Sequence, residues 1–318
     1  MRAVGIDVGG TSMRAGVVDE HGTVVDAVLA PTPDDADALE TAIAHAVEEL
    51  RDRHPVSAVG LAVAGFVAPD RNTVRYAPHL PWRGAPVADR IAARTGLPVT
   101  LEHDSNAAAV AEYTYGAARG AGVVVLVAIG TGIGGALLQD GVVFHGAHGV
   151  GPELGHLRVV PDGRPCSCGK RGCWERYCSG TALATTAREL MARDERASTV
   201  LARELAADYG ALTGRRVAAA AREGDVIAKQ AMAELATWLG EGLAIVADVY
   251  DPELVVIAGG VSESAPLFLD DAREHYASVL TGAGHRPLAR IRTAQLGGDA
   301  GLVGAATLAA AAAGDVRG

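Results

Sequence analysis

The segment Ala3-Val4-Gly5-Ile6-Asp7-Val8-Gly9-Gly10-Thr11 joins an apolar run to a turn built from glycine and threonine. The mostly apolar residues 3–7 predict a strand, and residues 14–18 and 23–29 predict two more strands after the turn. The same layout returns at residues 123–144, with a strand, a Gly/Thr turn, a strand, an Asp/Gly turn and a strand. This repetition indicates two related α/β halves.

The composition of the 318 residues argues against several classes of partner. Hydrophobic residues make up 49% of the chain, the formal net charge is −10, and Lys and Arg form no dense cluster. Because binding to nucleic acid or to an anionic membrane requires concentrated positive charge, we expect neither as a partner. The chain shows no signal-like segment and no apolar run of about 18 residues, so we expect a cytoplasmic protein with reduced cysteines unless they bind a metal.

The first glycine loop follows one predicted strand and leads directly into another. The backbone N–H groups of Gly9 and Gly10 could cradle a phosphate, with the hydroxyl of Thr11 as an added donor. The carboxylate of Asp7 would repel a bare phosphate, yet it suits a bound Mg²⁺ or the water around that ion. The alternative is an ordinary hairpin turn beside a solvated aspartate.

The second glycine loop, residues 130–135, matches the G-x-G-x-x-G fingerprint of dinucleotide-binding proteins. That fingerprint requires a helix directly after the glycines, but this chain continues into a predicted strand at 136–138, which disfavours a dehydrogenase. Two strand–turn–strand loops facing each other across a cleft could instead hold a triphosphate. A third turn, with Gly259 and Gly260 after a predicted strand at 254–257, could lie against a nucleoside or be a simple βα turn.

Three cysteines, Cys166, Cys168 and Cys173, lie within eight residues, and the glycines between them permit sharp bends. Together with His156 they would form a tetrahedral Cys₃His set for zinc, and four protein ligands would make the metal structural. A disulfide is disfavoured in a chain without a secretion signal. Cys178 remains as a spare thiol, which we expect to be buried.

Two glutamates border this predicted metal site. Glu153 precedes His156 by three residues, so one helical turn would place both on the same face, and Glu175 follows Cys173 by two residues. A pair of carboxylates held beside an imidazole is suited to binding sugar hydroxyls. Each glutamate taken alone could equally be a solvated surface residue.

Residues 102–106, Glu-His-Asp-Ser-Asn, end a predicted strand and begin a predicted helix. Asp104 could cap the N-terminus of that helix. It could alternatively be a general base that takes the proton from a sugar hydroxyl during phosphoryl transfer, a reaction that depends mainly on positioning and charge neutralisation. The residues by themselves leave both roles open.

Together these motifs resemble those of the ROK family of sugar kinases, and within it the bacterial ATP-dependent glucokinases. The most specific part of the resemblance is Glu-x-Gly-His at 153–156 combined with Cys-x-Cys-Gly-x-x-Gly-Cys-x-Glu at 166–175. The resemblance implies a two-domain α/β fold of the actin/hexokinase-like (ribonuclease H-like) ATPase type, with a ligand cleft between domains. A smaller domain would comprise residues 1–115 and a C-terminal helix at about 299–318, and a larger one residues 116–298.

The resemblance also implies roles for the residues that match the family's motifs. It implies Asp104 as the catalytic base, Mg²⁺-ATP as the phosphoryl donor, a structural zinc ion on His156 and the three cysteines, and a homodimer or homotetramer. The implied sugar-binding residues are Gly65, His79, His103, Asp104, Glu153, His156 and Glu175. The implied nucleotide-binding residues are Asp7, Gly9, Gly10, Thr11, Thr131, Gly132, Gly259 and Gly260.

Three positions depart from the family's pattern. Ser12 lies where relatives often have Lys, which removes one positive charge near the phosphates. His79 and His103 lie where Asn is common and where relatives face the sugar. Because imidazole differs from an amide in reach and in response to pH, sugar specificity stays open while the phosphoryl chemistry is expected to be unchanged.

We therefore expect ATP-dependent phosphorylation of a hexose, foremost glucose to glucose 6-phosphate. A related kinase for mannose, fructose or an N-acetyl amino sugar, or one that uses polyphosphate, is the first alternative. The non-kinase alternative is a sugar sensor. Repressors of the family carry a DNA-binding domain ahead of the first glycine loop, and since that loop begins at Asp7 we expect no such domain here.

Overall fold

The computed structural model describes residues 2–193, 199–208, 210 and 212–315. Residues 316–318 of the predicted C-terminal helix lie outside this part of the chain. Among the described residues, none of the helices combines the length and the apolar character that crossing a membrane requires.

The contacts within the chain define two compact units. Unit 1 comprises Met1–Gly122, Ala136–Pro152 and Gln295–Gly318, and unit 2 comprises Val123–Gly135 and Glu153–Ala294. The strands in chain order are β1 Ala3–Val8, β2 Ser12–Val18, β3 Val24–Pro31, β4 Val59–Val63, β5 Phe66–Val67, β6 Thr73–Tyr76, β7 Arg83–Pro86, β8 Val99–His103, β9 Val123–Ile129, β10 Ile133–Gln139, β11 Val142–Val143, β12 Leu254–Ala258 and β13 Arg290–Thr293. The α-helices are α1 Ala36–Arg53, α2 Val87–Thr95, α3 Asp104–Tyr115, α4 Gly180–Arg193, α5 Val200–Ala207, α6 Gly214–Arg222, α7 Val226–Tyr250, α8 Leu269–Val279 and α9 Ala300–Asp315.

The first large sheet has the strand order β3-β2-β1-β4-β8. β2 is antiparallel to both β1 and β3, whereas β4 is parallel to β1 and to β8. Alternate residues of β1 belong to different cores, as expected for side chains on opposite faces of a strand. Val4 and Ile6 join a core that includes α1 and α2, and Ala3 joins a core formed with α3 and α9. Helices therefore cover both faces of this sheet.

The second large sheet has the order β11-β10-β9-β12-β13, with β12 parallel to both β9 and β13. Both sheets have the same strand order when their strands are numbered along the chain. The first three strands lie side by side in reverse order, and the fourth and fifth strands follow next to the first. The internal repeat predicted from the sequence is thus present in the strand order. In unit 2, the long helix α7 packs against α4, α6 and α8.

The second glycine loop is shorter than the sequence pattern predicted. β10 begins at Ile133 rather than at 136, so Gly134 and Gly135 are strand residues and the prediction of a turn over residues 130–135 was wrong. A Cβ at Gly135 would lie 2.5 Å from Cγ of Leu154, so a glycine in this strand lets the next segment approach closely.

Candidate active site

The carboxyl ends of three parallel strands share one edge of the sheet in unit 1. The register aligns Val8 of β1 with Val63 of β4 and with His103 of β8. The segments that follow these strands therefore emerge side by side: the first glycine loop, Gly65 and Asp104. The structure brings these three predicted site elements together within one unit.

Asp104 is the first residue of α3, and its carboxylate binds its own neighbour. Oδ1 of Asp104 accepts hydrogen bonds from the backbone N–H of Ser105 at 2.6 Å and from the hydroxyl of Ser105 at 3.1 Å. The N-cap position belongs to His103, so the alternative of Asp104 as the helix cap was wrong. The carboxylate remains 39% exposed and can accept a proton from a ligand.

Two further ionisable side chains lie beside Asp104. Nε2 of His103 is 3.3 Å from Oδ1 of Asp104. Burial and, to a smaller extent, the negative charge of Asp104 raise the pKa of Asp7 to about 6, although the positive charge of Arg14 opposes both. Two mutually repelling carboxylates favour a bound cation, and Asp7 therefore fits the predicted Mg²⁺ role.

Gly65 packs against the segment that carries His79, and His79 packs against the first glycine loop. Gly65 is buried, and a Cβ there would lie 2.8 Å from the carbonyl oxygen of Tyr76. This packing places the segment that carries His79 beside the end of β4. His79 is exposed, and a Cβ at Gly10 would lie 2.9 Å from its Cβ. The hydroxyl of Thr32 donates a hydrogen bond of 2.7 Å to the carbonyl oxygen of Gly9 and secures the loop.

A cavity of about 700 Å³ lies within unit 2, inside the ~300–1,000 Å³ range of small-molecule sites. The second glycine loop contributes Gly130 and Thr131 to the lining, and a 3₁₀ segment that begins at Gly260 contributes further lining residues. The parallel register of β9 and β12 aligns the ends of these strands, which explains why the two turns meet. Gly259 and Gly132 adjoin the cavity-lining residues in the chain.

The cavity has features that favour an anionic ligand. Its walls include the first residues of α4 and the start of α6, where the positive ends of the helix dipoles lie. Three arginines also line it: Arg188, Arg215 and Arg222. Arg188 donates a hydrogen bond to the carbonyl oxygen of Leu212 at 2.9 Å, and Arg222 donates one to the hydroxyl of Ser264 at 2.8 Å. The sequence alone did not suggest these arginines, because each one resembles a solvated surface residue.

The predicted metal ligands of unit 2 converge. One ligand atom from each of His156, Cys166, Cys168 and Cys173 lies within 4.8 Å of all the others. Sγ of Cys168 and Sγ of Cys173 are 3.6 Å apart, and Sγ of Cys166 is 3.7 Å from Nδ1 of His156. Tetrahedral zinc with Zn–S bonds of about 2.3 Å would hold two sulfurs roughly 3.8 Å apart, so this donor set fits zinc.

The two predicted sugar-binding glutamates lie on opposite sides of the same imidazole. Oε1 of Glu175 is 3.8 Å from Nδ1 of His156, and Oε2 of Glu153 is 3.9 Å from Nε2. Trp174, next to Glu175, is fully buried and donates a hydrogen bond of 2.7 Å from Nε1 to the carbonyl oxygen of Trp238 in α7. The cysteine-rich segment is therefore anchored to the helical core of unit 2.

Two residues that the sequence analysis missed lie around Glu102 in unit 1. Nε2 of His145 is 3.0 Å from Oε2 of Glu102, and Arg71 forms an ion pair with the same carboxylate. Burial raises the pKa of Glu102, but the hydrogen bond from His145 and the charge of Arg71 outweigh it and lower the pKa to about 2. No local motif marks Arg71 or His145, since they lie 31 residues before and 43 residues after Glu102.

The chain is similar to known proteins in sequence and in fold. The ROK family profile matches residues 3–312. A glucokinase of Streptomyces coelicolor is 44% identical over 307 residues, which cover 96% of each chain. A crystal structure of a ROK family glucokinase from Streptomyces griseus, in complex with glucose and AMPPNP, matches with a TM-score of 0.86 and 42% identity, over 98% of this chain and 100% of that chain.

A ROK hexokinase from Thermus thermophilus also matches, with a TM-score of 0.81 and 34% identity over 99% of this chain and 100% of that chain. These similarities confirm the resemblance inferred from the motifs and the predicted actin/hexokinase-like α/β fold. By sequence over nearly its whole length, and by fold, the chain belongs to the ROK family.

Proposed function

We propose that this protein is an ATP-dependent sugar kinase that converts glucose to glucose 6-phosphate. The observation that carries the proposal is the partly exposed carboxylate of Asp104, held beside Asp7 and the first glycine loop. The relative from Streptomyces coelicolor is named a glucokinase, and the neighbour from Streptomyces griseus binds glucose and the ATP analogue AMPPNP.

In the proposed reaction, Asp104 is the catalytic base. Its carboxylate takes the proton of the 6-hydroxyl as the sugar oxygen bonds to the γ-phosphorus of ATP, and the bond from that phosphorus to the leaving ADP breaks. Asp7 would hold Mg²⁺, directly or through water, and Mg²⁺ when bound would neutralise phosphate charge. The first glycine loop supplies backbone N–H groups for the phosphates.

Within unit 2, the cavity is the proposed site for the nucleotide. Thr131 and Gly132 would contact the phosphates, and Gly259 and Gly260 would lie near the nucleoside. Guanidinium groups and helix N-termini in that cavity are suited to a polyanion. These features support nucleotide binding there.

Unit 1 and unit 2 each contain residues that we propose to bind the sugar. Glu153, His156 and Glu175 form a cluster of two carboxylates and an imidazole in unit 2, and Gly65, His79, His103 and Asp104 lie near the edge of the sheet in unit 1. A structural zinc ion on His156, Cys166, Cys168 and Cys173 would keep the imidazole and Glu175 in place. Nε2 of His156 would then remain available to a sugar hydroxyl.

The remaining predictions are part of the same proposal. They are a cytoplasmic location, a homodimer or homotetramer, a smaller domain of residues 1–115 with the C-terminal helix, and a larger domain of residues 116–298. A specificity for another hexose is the second candidate, because His103 lies 3.3 Å from the predicted base and His79 packs on the first glycine loop.

The experiment that tests the proposal measures ADP release by the purified protein with Mg²⁺-ATP, with and without glucose. Mannose, fructose and N-acetylglucosamine are tested in parallel, and polyphosphate replaces ATP in a separate series. Glucose-dependent ADP release together with glucose 6-phosphate in the product supports the proposal. If only a different hexose is phosphorylated, the protein is a sugar kinase whose substrate is not glucose. If no sugar is phosphorylated with either donor, the result favours a sugar sensor.

A further inference from the structure

A buried carboxylate lies directly before the predicted catalytic turn. Glu102 is 2% exposed and lies in β8, two residues before Asp104. Burying a charged carboxylate is unfavourable unless polar partners satisfy its oxygens. The partners of Glu102 are therefore informative about its role.

One oxygen of Glu102 binds residues on both sides of Asp104. Oε1 accepts a hydrogen bond of 2.8 Å from the backbone N–H of His103 and one of 2.9 Å from Nδ2 of Asn106. His103 ends the strand, and Asn106 belongs to the first turn of α3. Oε1 thus ties the end of the strand to the start of the helix, with Asp104 between them.

The other oxygen of Glu102 binds side chains from two distant segments. Oε2 is 3.0 Å from Nε2 of His145, which follows β11, and pairs with Arg71 from the turn between β5 and β6. These two partners restrict the rotation of the carboxylate about its last bond. Oε1 is thereby kept directed at the turn that carries Asp104.

We infer that Glu102 is a positioning residue for the phosphoryl transfer, and that Arg71 and His145 hold it in place. Glu102 acts on Asp104 through His103 and Asn106 rather than by touching a substrate. The inference rests on the proposed function, since it concerns the placement of the proposed base. Because reacting groups must be held closely, a shift of about 1 Å at Asp104 is expected to lower the rate by up to 100-fold.

The test compares Glu102→Gln with a matched control, Glu40→Gln. Glu40 is also 2% exposed, and it pairs with Arg90 at 3.2 Å and Arg94 at 3.3 Å between α1 and α2. Both variants lose one buried negative charge that faces basic partners. A glutamine at 102 has one oxygen and one NH₂ group, so it satisfies either the turn or the pair of Arg71 and His145, but not both.

We expect Glu102→Gln to lower kcat by about 10-fold or more while KM for ATP changes by less than about 2-fold. Glu40→Gln is expected to lower the melting temperature comparably and to leave kcat within about 2-fold of the original protein. Equal effects of the two variants on kcat would overturn the inference, because the role of Glu102 would then be structural only.

A second pair of variants examines the orienting partner. His145→Ala removes the donor to Oε2, whereas His145→Gln retains an N–H group on a side chain of similar reach. We expect His145→Ala to lower kcat by about 5-fold or more, and we expect kcat of His145→Gln to lie close to that of the original protein. If His145→Gln is no more active than His145→Ala, the hydrogen bond from residue 145 to Glu102 does not contribute to kcat.

Hydrogen exchange separates this inference from the proposed function. The backbone N–H of His103 is expected to exchange about 10-fold faster or more in Glu102→Ala than in Glu40→Gln, because its acceptor is gone. If the original protein has no kinase activity, the proposed function fails and the catalytic part of the inference fails with it. If the backbone N–H of His103 exchanges at the same rate in Glu102→Ala, Glu102 does not hold the turn that carries Asp104, whatever the activity of the protein.

Discussion

The carboxylate of Glu175 lies against the α-carbon of Gly132, so that a Cβ at position 132 would overlap Oε2 of Glu175. The other oxygen, Oε1, is 3.1 Å from Sγ of Cys166 and 3.8 Å from Nδ1 of His156. One side chain therefore reaches from the second glycine loop to the predicted metal site. A change at any of these positions is expected to displace the proposed sugar-binding cluster of Glu153, His156 and Glu175.

Gly132→Ala should raise KM for glucose by about 10-fold or more, because the new methyl group displaces the carboxylate of Glu175. Steady-state kinetics with varied glucose at saturating ATP provide the measurement. Gly314→Ala serves as the control, since that position faces open space near the end of α9 and has no positive φ. An unchanged KM for glucose in Gly132→Ala would show that Glu175 does not bind the sugar.

Asp104→Asn should lower kcat by about 100-fold or more, because an amide cannot take the proton of the sugar hydroxyl. The melting temperature should change little, since the side chain is 39% exposed and bonds only to the neighbouring serine among the hydrogen bonds described. Thermal unfolding and single-turnover kinetics measure the two effects separately. Near-normal turnover would contradict the assignment of Asp104 as the base.

Cys168→Ser should lose zinc, lower the melting temperature and raise KM for glucose together, because the metal would hold both His156 and Glu175. Elemental analysis of the purified protein measures the zinc content. Cys178→Ala is a control for the zinc content alone, because Cys178 is fully buried outside the group of converging ligand atoms, whereas Cys168 is exposed. Full zinc content in Cys168→Ser would exclude the proposed four-ligand site.

The stability of the folded protein should depend on pH through the ionisation of Glu102. Its pKa is about 2 in the folded protein, below the ordinary value of 4.5, so its stabilising contribution is complete above pH 4.5 and is lost as the pH falls toward 2. The loss between pH 6 and pH 3 is on the order of 2 kcal/mol. Because glutamine does not titrate, the difference in melting temperature between the original protein and Glu102→Gln should become smaller as the pH falls from 6 to 3. A constant difference would contradict the ionised, paired state of Glu102.

Arg215→Ala should raise KM for ATP by about 5-fold or more and leave KM for glucose within about 2-fold, because Arg215 lines the cavity of unit 2. The adjacent Arg216 provides the control. It pairs with Glu204 at 2.7 Å and Glu223 at 3.3 Å, and it is not among the cavity-lining residues. Arg216→Ala should lower stability slightly without a change in KM for ATP, and equal effects of both variants would argue against nucleotide binding in this cavity.

Local patterns were sufficient for much of the fold. The predicted strand at 3–7 lies within β1, and the predicted strand at 254–257 lies within β12. The start of β10 was predicted three residues too late, because glycines read as a turn when the side chain that packs on them, here Leu154, is distant in the chain. The role of Asp104 as a helix cap was excluded only by the backbone geometry at His103.

The sequence by itself determined the first glycine loop, the repeated strand layout and the four candidate metal ligands, because residue spacing and turn chemistry are local properties of the chain. Only the tertiary structure decided which side chains satisfy Glu102 and which arginines line the cavity of unit 2. Arg71 and His145 meet Glu102 because three segments converge at one edge of a sheet. These contacts depend on how the strands and loops pack. The residues that form them belong to no local sequence motif that would predict the contacts.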